Sequence, residues 1–332
     1  MLATAFFLLI NVSARSQDSL RLKNPVKYES GTIDFVSQWP SAEHKLHKKS
    51  FTHKLRDVLL GDNTPELNKP VSLVASDPNT FWVLDQKNNA VFRVEKGKEK
   101  IPHYLNKSKF HYNSLVGVCQ YTDHKILFTD SYQNKIYILD PDSKKCSVLN
   151  DSLILEKPTG IAYSKITNEI WVTETGKHRL VVLNNKGEIL RTIGNRGTSW
   201  GNFNFPTHLW IDNQGQVYVV DAMNFRIQVF NKEGLVISVF GSNGDATGYF
   251  ASPKGIATDS FGHIYVADAL FHAVQIFDIK GNFLYSFGSQ GQDEGQFWMP
   301  SGIYIDEHDR IYVSDTYNSR VQIFHLITGG EK

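Results

Sequence analysis

Short β-rich runs, each closed by an acid, recur along most of the chain. QVYVVD, HIYVAD and RIYVSD end at Asp221, Asp268 and Asp315; a turn follows, then a second run, RIQVF, AVQIF or RVQIF. Such runs of β-branched and aromatic residues favour strands. A Gly-containing turn leads to a third run, LVISVFG or NFLYSFG, and a stretch after proline (PKGIATD, PSGIYID) precedes the first, which makes four strands per unit. FNFPTHLWIDNQGQVYVVDAMNFRIQVF, YFASPKGIATDSFGHIYVADALFHAVQIF and QFWMPSGIYIDEHDRIYVSDTYNSRVQIF overlay with their acids 47 residues apart. Gly187, Gly234 and Gly281 keep that period, as do Gly194, Gly241 and Gly288. Going backwards, Glu174, Asp130 and Asp85 follow at steps of 47, 44 and 45, so six copies are present. Four-stranded antiparallel units of about 40–50 residues without helices predict an all-β, six-bladed β-propeller.

The chain ends fit a closed ring. After RVQIFHLI the sixth copy lacks its outermost strand, and TIDFVSQWP (residues 32–40) is a strand-like run with no unit of its own. We expect it to complete the sixth blade. The predicted organisation is a signal peptide over 1–16, an N-terminal extension over 17–31, the closing strand at 32–40, a basic linker at 41–69, blades from about 70 to 327, and a tail at 328–332. The export reading rests on the apolar stretch Leu2 to Val12, broken by Asn11, and on Ala14-Arg15-Ser16 after it. No basic residue precedes that stretch, and a short buried segment is the alternative. No other stretch reaches about 18 apolar residues, so a secreted or periplasmic protein without membrane insertion is expected after cleavage.

Composition narrows the partners. With 35 Lys+Arg against 34 Asp+Glu the net charge is +1, which disfavours nucleic acid as a partner. Two cysteines make neither a disulfide framework nor a cysteine-rich zinc module. Cys119 falls in the innermost strand of copy two and Cys146 in its outermost; three strand spacings part them, so two separate buried thiols are expected.

A carboxylate repeated once per blade serves something every blade needs. Lys135, Arg179, Arg226 and Arg320 each follow the acid by five residues, and such pairs are expected to pin the turn between second and third strands. Ala90 and Ala273 replace the base in copies one and five, which leaves Asp85 and Asp268 as ring members open to ligand contact. Gly160, Gly255 and Gly302 begin the innermost strands, where neighbouring backbones crowd.

The motifs KHRLVVL, NFRIQVF and NSRVQIF, each after an acidic strand end, together with GIATD and IYVAD, resemble NHL repeats from about Thr32 to Ile327. Copy two departs most, with NSLVGVCQY in place of the proline-glycine start. The resemblance implies a six-bladed NHL propeller similar to exported bacterial ones. The wider superfamily includes the peptide-amidating lyase, streptogramin lyase and RNA-binding NHL proteins, so it does not set the function.

Function then belongs to positions where copies differ, on the face carrying inter-blade connections and second-to-third-strand turns. The innermost-strand position reads Ser72, Gly117, Gly160, His208, Gly255, Gly302, with His208 the outlier. An imidazole at the channel mouth suits a metal ligand, a general base, a ligand contact or a simple plug. Thr159, Thr207, Lys254 and Ser301 flank it, and the turns carry Tyr132, His178, Phe225, Phe271, His272 and Tyr317. Ligand contact is expected from His208, Thr207, Lys254, Thr159 and these six turn residues. The segment HKLHKKSFTHKLR (44–56) has eight Lys, Arg or His in thirteen positions and helical apolar spacing, giving either a basic rim or a solvated face.

Two functions follow. The first is a non-enzymatic, monomeric binding module for a protein, peptide or glycan. The second is a metal-dependent lyase or hydrolase with His208 at its centre, assisted by His178 or His272; three histidines on separate blades is how the resemblance implies the amidating lyase holds zinc. Here Thr207 separates Pro206 from His208, unlike the lyase's pattern, and reverses side-chain direction in a regular strand. A divalent metal is the one cofactor the second reading requires.

Overall fold

Each acid-ended run becomes the second strand of an antiparallel sheet, and the sheets stand in a ring. The computed structural model describes residues 26–28, 31–40, 66–77, 79–95, 111–122, 124–153 and 155–327. Inner strands begin the blades at Pro70–Asp77, Leu115–Gln120, Pro158–Ser164, Pro206–Ile211, Pro253–Thr258 and Pro300–Ile305, and each touches its neighbours, the sixth returning to the first. The molecule is an all-β, six-bladed propeller. Both faces of every blade except its rim meet other blades, so second strands such as Val217–Asp221 and Ile264–Asp268 are buried throughout. That is why they read as nearly continuous apolar runs. The core lies between blades: Tyr218, Val220, Ile227 and Val229 of blade 4 pack with Phe250, Ile256, Val266 and Phe277 of blade 5.

The expected closure is present. Strand Gly31–Trp39 pairs antiparallel with Arg320–Ile327 from Thr32↔Ile327 to Trp39↔Val321, and Phe35 meets Phe324 edge-on at 5.7 Å. A further strand, Val26–Tyr28, pairs outside it and gives blade 6 five strands. That strand falls within the stretch expected to be only an extension. Blade 1 has three described strands; residues 96–110, where the pattern puts its fourth, lie outside the described residues, as do the signal segment 1–16, the basic linker over 41–65 and the tail 328–332.

The two cysteines are free, Cys119 in the inner strand and Cys146 in the outer strand Lys145–Val148 of blade 2. Both are only partly buried by their surroundings rather than sealed within them. Among the described residues no helix is long and apolar enough to cross a membrane.

Because the closing strand shares one core with blades 5 and 6, the ring is expected to unfold as a unit. Phe35→Ala is expected to lower the unfolding free energy by about 3 kcal/mol in a single transition, read by chemical denaturation; a separate early phase for blade 6 would contradict this.

Candidate functional site

The repeated acid is structural in every copy. Asp268 accepts from the backbone N–H groups of Ala251 and Ser252 at 2.8 and 2.9 Å and from those of Leu270 and Phe271, so it needs no arginine. Asp85 likewise accepts from Asn68, Lys69 and Asn88. Neither is open to a ligand. In each blade the carboxylate ties the segment before the inner strand to the turn after the second strand. The base is a second tie: Arg179, Arg226 and Arg320 meet their acids at 2.6, 2.8 and 2.7 Å. Arg226 also donates to the carbonyls of Thr198, Ser199 and Asn202 in the preceding connection. Lys135 departs from the expectation; its ammonium faces the Asp151 carboxylate at 3.5 Å instead.

His178 and His272 are fixed by a related device. Phe205 and Met299 precede Pro206 and Pro300 with φ of 53° and 54°, a conformation disfavoured before proline. The Nδ1 atoms of His178 and His272 accept from those two N–H groups, each at 3.1 Å. In blade 2 the side chain of Asn134 does the same for Lys157 at 2.8 Å. Burial lowers the proton affinity of both histidines, which keeps the accepting nitrogen free of a proton. They do not converge with His208: among the described residues no three His, Cys, Asp or Glu side chains gather to hold a metal ion. The three-histidine centre is not formed.

The channel wall is made where the inner strands bulge. Two residues there oppose one on the second strand, as at Pro206/Leu209 and Pro253/Ile256, so the strict alternation assumed for Thr207 and His208 does not hold. The glycines are required, since a Cβ on Gly160 would lie 2.7 Å from the Thr207 carbonyl oxygen and one on Gly255 2.4 Å from that of Ser301. Hydroxyls then stitch neighbouring blades. Thr159 Oγ1 donates to the Thr207 carbonyl at 2.8 Å and Thr175 Oγ1 to that of Pro206 at 2.6 Å; Ser301 and Thr316 repeat this against Val71 and Pro70. Thr159 is thus engaged within the wall. Thr207 Oγ1 and His208 Nε2 are shielded from solvent without a partner. Burial, then the charge of Lys254, pushes the His208 pKa down to about 4, leaving the ring neutral at pH 7. Below this level Trp210 of blade 4 reaches Tyr304 of blade 6, edge-on at 5.4 Å.

The turns form the rim. Tyr132 and Tyr317 are 75% and 54% exposed, but Phe225 is partly buried against the core of blades 4 and 5, and Phe271 is half-buried with its N–H on Asp268. The exposed apolar residue of these turns sits two positions after the acid: Met223, Leu270 and Tyr317 in successive blades. Trp298, 42% exposed, packs on Tyr317 at 5.8 Å, and Phe205 is exposed beside His178. Met223, Leu270, Trp298 and Phe205 were not picked out in the sequence. The spacing from the acid was the available signal.

Two outcomes are expected. His178→Asn is expected to keep wild-type stability because Asn134 already fills that role, whereas His178→Ala loses about 1 kcal/mol by denaturant titration. The folded pKa of His208 lies below its unfolded value, so the unfolded chain takes up the proton first, and stability falls as pH drops from about 6.5 towards 4. His208→Gln is expected to remove that acid-side loss, about 3 kcal/mol for a shift of this size, seen as a flatter stability–pH curve.

Comparisons with known proteins agree with this architecture. A family model described as NHL repeat matches residues 297–324, and one described as 6-bladed beta-propeller matches residues 148–238. No curated protein matches. Among solved structures, virginiamycin B lyase from Staphylococcus aureus is similar with a TM-score of 0.58 and 16% identity, over 80% of this chain and 97% of that one. An auxiliary nutrient binding protein from Bacteroides thetaiotaomicron is similar with a TM-score of 0.62 and 15% identity, over 78% of this chain and 69% of that one. At such identities the likeness shows the fold alone. With its repeating acid, its Arg–acid ties and its closed ring of six blades, the chain is a six-bladed β-propeller, and one of its repeats matches the NHL model.

Proposed function

We propose that this propeller is an exported, monomeric, non-enzymatic binding module whose channel-mouth face takes a protein, peptide or glycan partner. The observation that carries the reading is the apolar arc of Met223, Leu270 and Tyr317, with Trp298 packed on the last, exposed on consecutive blades around the mouth. Leaving such side chains exposed has no structural purpose within the monomer, and exposed apolar surface gathered on one face suits an interaction site. Aromatic residues on a rigid scaffold contribute contact area at small entropic cost. Export is supported by the apolar run Leu2 to Val12 and the small residues after it. The similar Bacteroides structure, titled an auxiliary nutrient binding protein, is in keeping with a capture role. The fixing of His178 and His272 as backbone acceptors favours this reading over the metal-dependent lyase or hydrolase.

Replacing both Trp298 and Tyr317 by alanine is expected to weaken capture of the partner from a secreted or periplasmic fraction at least tenfold, while the midpoint of thermal unfolding moves by less than about 3 °C. Quantitative pull-down compared with the unaltered protein checks this; undiminished capture by the double variant would remove the rim from the interface.

A further inference from the structure

The seam between blades 4 and 5 keeps one hydroxyl of the stitching seen at two other seams but not its bonds. At the 3/4 and 6/1 seams a hydroxyl in the inner-strand bulge, Thr159 or Ser301, bonds the carbonyl of the next blade and a second hydroxyl, Thr175 or Thr316. Blade 4 keeps the first of these as Thr207 but carries Ala222 at the position of Thr175; blade 5 carries Lys254 at the position of Thr207 and Ala269 at that of Thr316. The hydroxyl of Thr207 makes none of the bonds its counterparts make and is nonetheless shielded from solvent. Beside it His208 stands where four of the other copies have glycine, with Nε2 shielded and unpartnered. Lys254, half-buried on the adjacent inner strand, has no hydrogen bond or ion pair among the described residues. Burying a polar group without a partner is unfavourable, and two such groups side by side, with an unpaired ammonium on the neighbouring bulge, is a concentration that the fold does not require.

Their chemistry is specific. Lys254 brings one positive charge and excludes a metal cation. Thr207 and a neutral His208 protonated at Nε2 add two uncharged donors. One charge with two donors matches a single-charged oxyanion with two oxygens. We propose that the channel wall at the junction of blades 4 and 5 is a carboxylate-binding subsite, in which Lys254 supplies the charge and Thr207 and His208 supply the hydrogen bonds. This rests on the binding role of the channel-mouth face and gives it a ligand class: a partner that sets an apolar body on Leu270, Tyr317 and Trp298 and points a carboxylate into the mouth. A peptide C-terminus and a free organic acid share that chemistry.

Titration calorimetry at pH 7 with the whole protein separates the two, using acetyl-trialanine with a free C-terminal carboxylate, the same peptide as its C-terminal amide, and succinate. Binding of the free acid but not the amide identifies a peptide terminus; binding of succinate without the peptide identifies a small acid. In either case Lys254→Met is expected to weaken binding at least tenfold and Thr207→Val by three- to tenfold, and the His208 ring resonances of the unaltered protein are expected to move during titration. Equal binding of acid and amide, no binding of any of the three at 10 mM (about ten times a 1 mM Kd), or binding that leaves the His208 resonances still would overturn the subsite. If that happens while the Trp298 and Tyr317 double variant still loses its partner, the carboxylate assignment falls alone and the apolar rim stands.

Discussion

A carboxylate buried at the end of each second strand is the contact from which the rest of the ring is built. It accepts main-chain N–H groups from the segment entering its own blade, and from the turn leaving the second strand it accepts main-chain N–H groups in blades 1, 2 and 5 and side-chain donors such as Asn224 and Asn318 in blades 4 and 6. Those donors have no ladder partner, and burying them unpaired would cost more than any single packing contact. The acid therefore sets where each inner strand starts, and through that the distance at which six backbones meet around the channel. Arginine is an addition to this arrangement. Blades 1, 2 and 5 do without it, and the arginines of blades 4 and 6 also donate to carbonyls of the preceding connection.

Once the acids are assigned to the scaffold, the channel mouth has a simple division of labour. Positions that recur are occupied by internal bonding: the glycines by close approach, the hydroxyls of blades 3 and 6 by stitching, the turn histidines by supporting a left-handed residue before proline. Positions that do not recur collect on blades 4, 5 and 6. There the rim is apolar and the wall beneath it polar and unpaired, which gives the face a direction: contact area outside, polar selectivity within.

The fold was legible because a blade buries both sides of its strands, so each repeat had to spell out the same apolar runs, glycines and acid at nearly one spacing. The closing strand was legible for the same reason, since the sixth repeat was one run short. What the chain did not reveal came from local geometry. Phe225 looked like a surface aromatic because it lies in a turn, but its left-handed backbone aims it towards the core. His178 and His272 looked like ligands because an imidazole has many uses, and only the backbone conformation of Phe205 and Met299 shows which use applies. His208 and Lys254 stood out from their siblings in sequence, whereas the missing partner of Thr207 could be recognised only against the bonds that Thr159 and Ser301 make.

The closing strand has a consequence for how the molecule is made. Residues 31–39 leave the ribosome before every blade, yet their hydrogen-bonding partner, Arg320–Ile327, is translated after all of them. Through nearly the whole of synthesis the closing strand has only the short Val26–Tyr28 beside it and its other edge stays open, and the last blade emerges with one side of its sheet open. The ring is thus assembled only after the nascent chain is essentially complete.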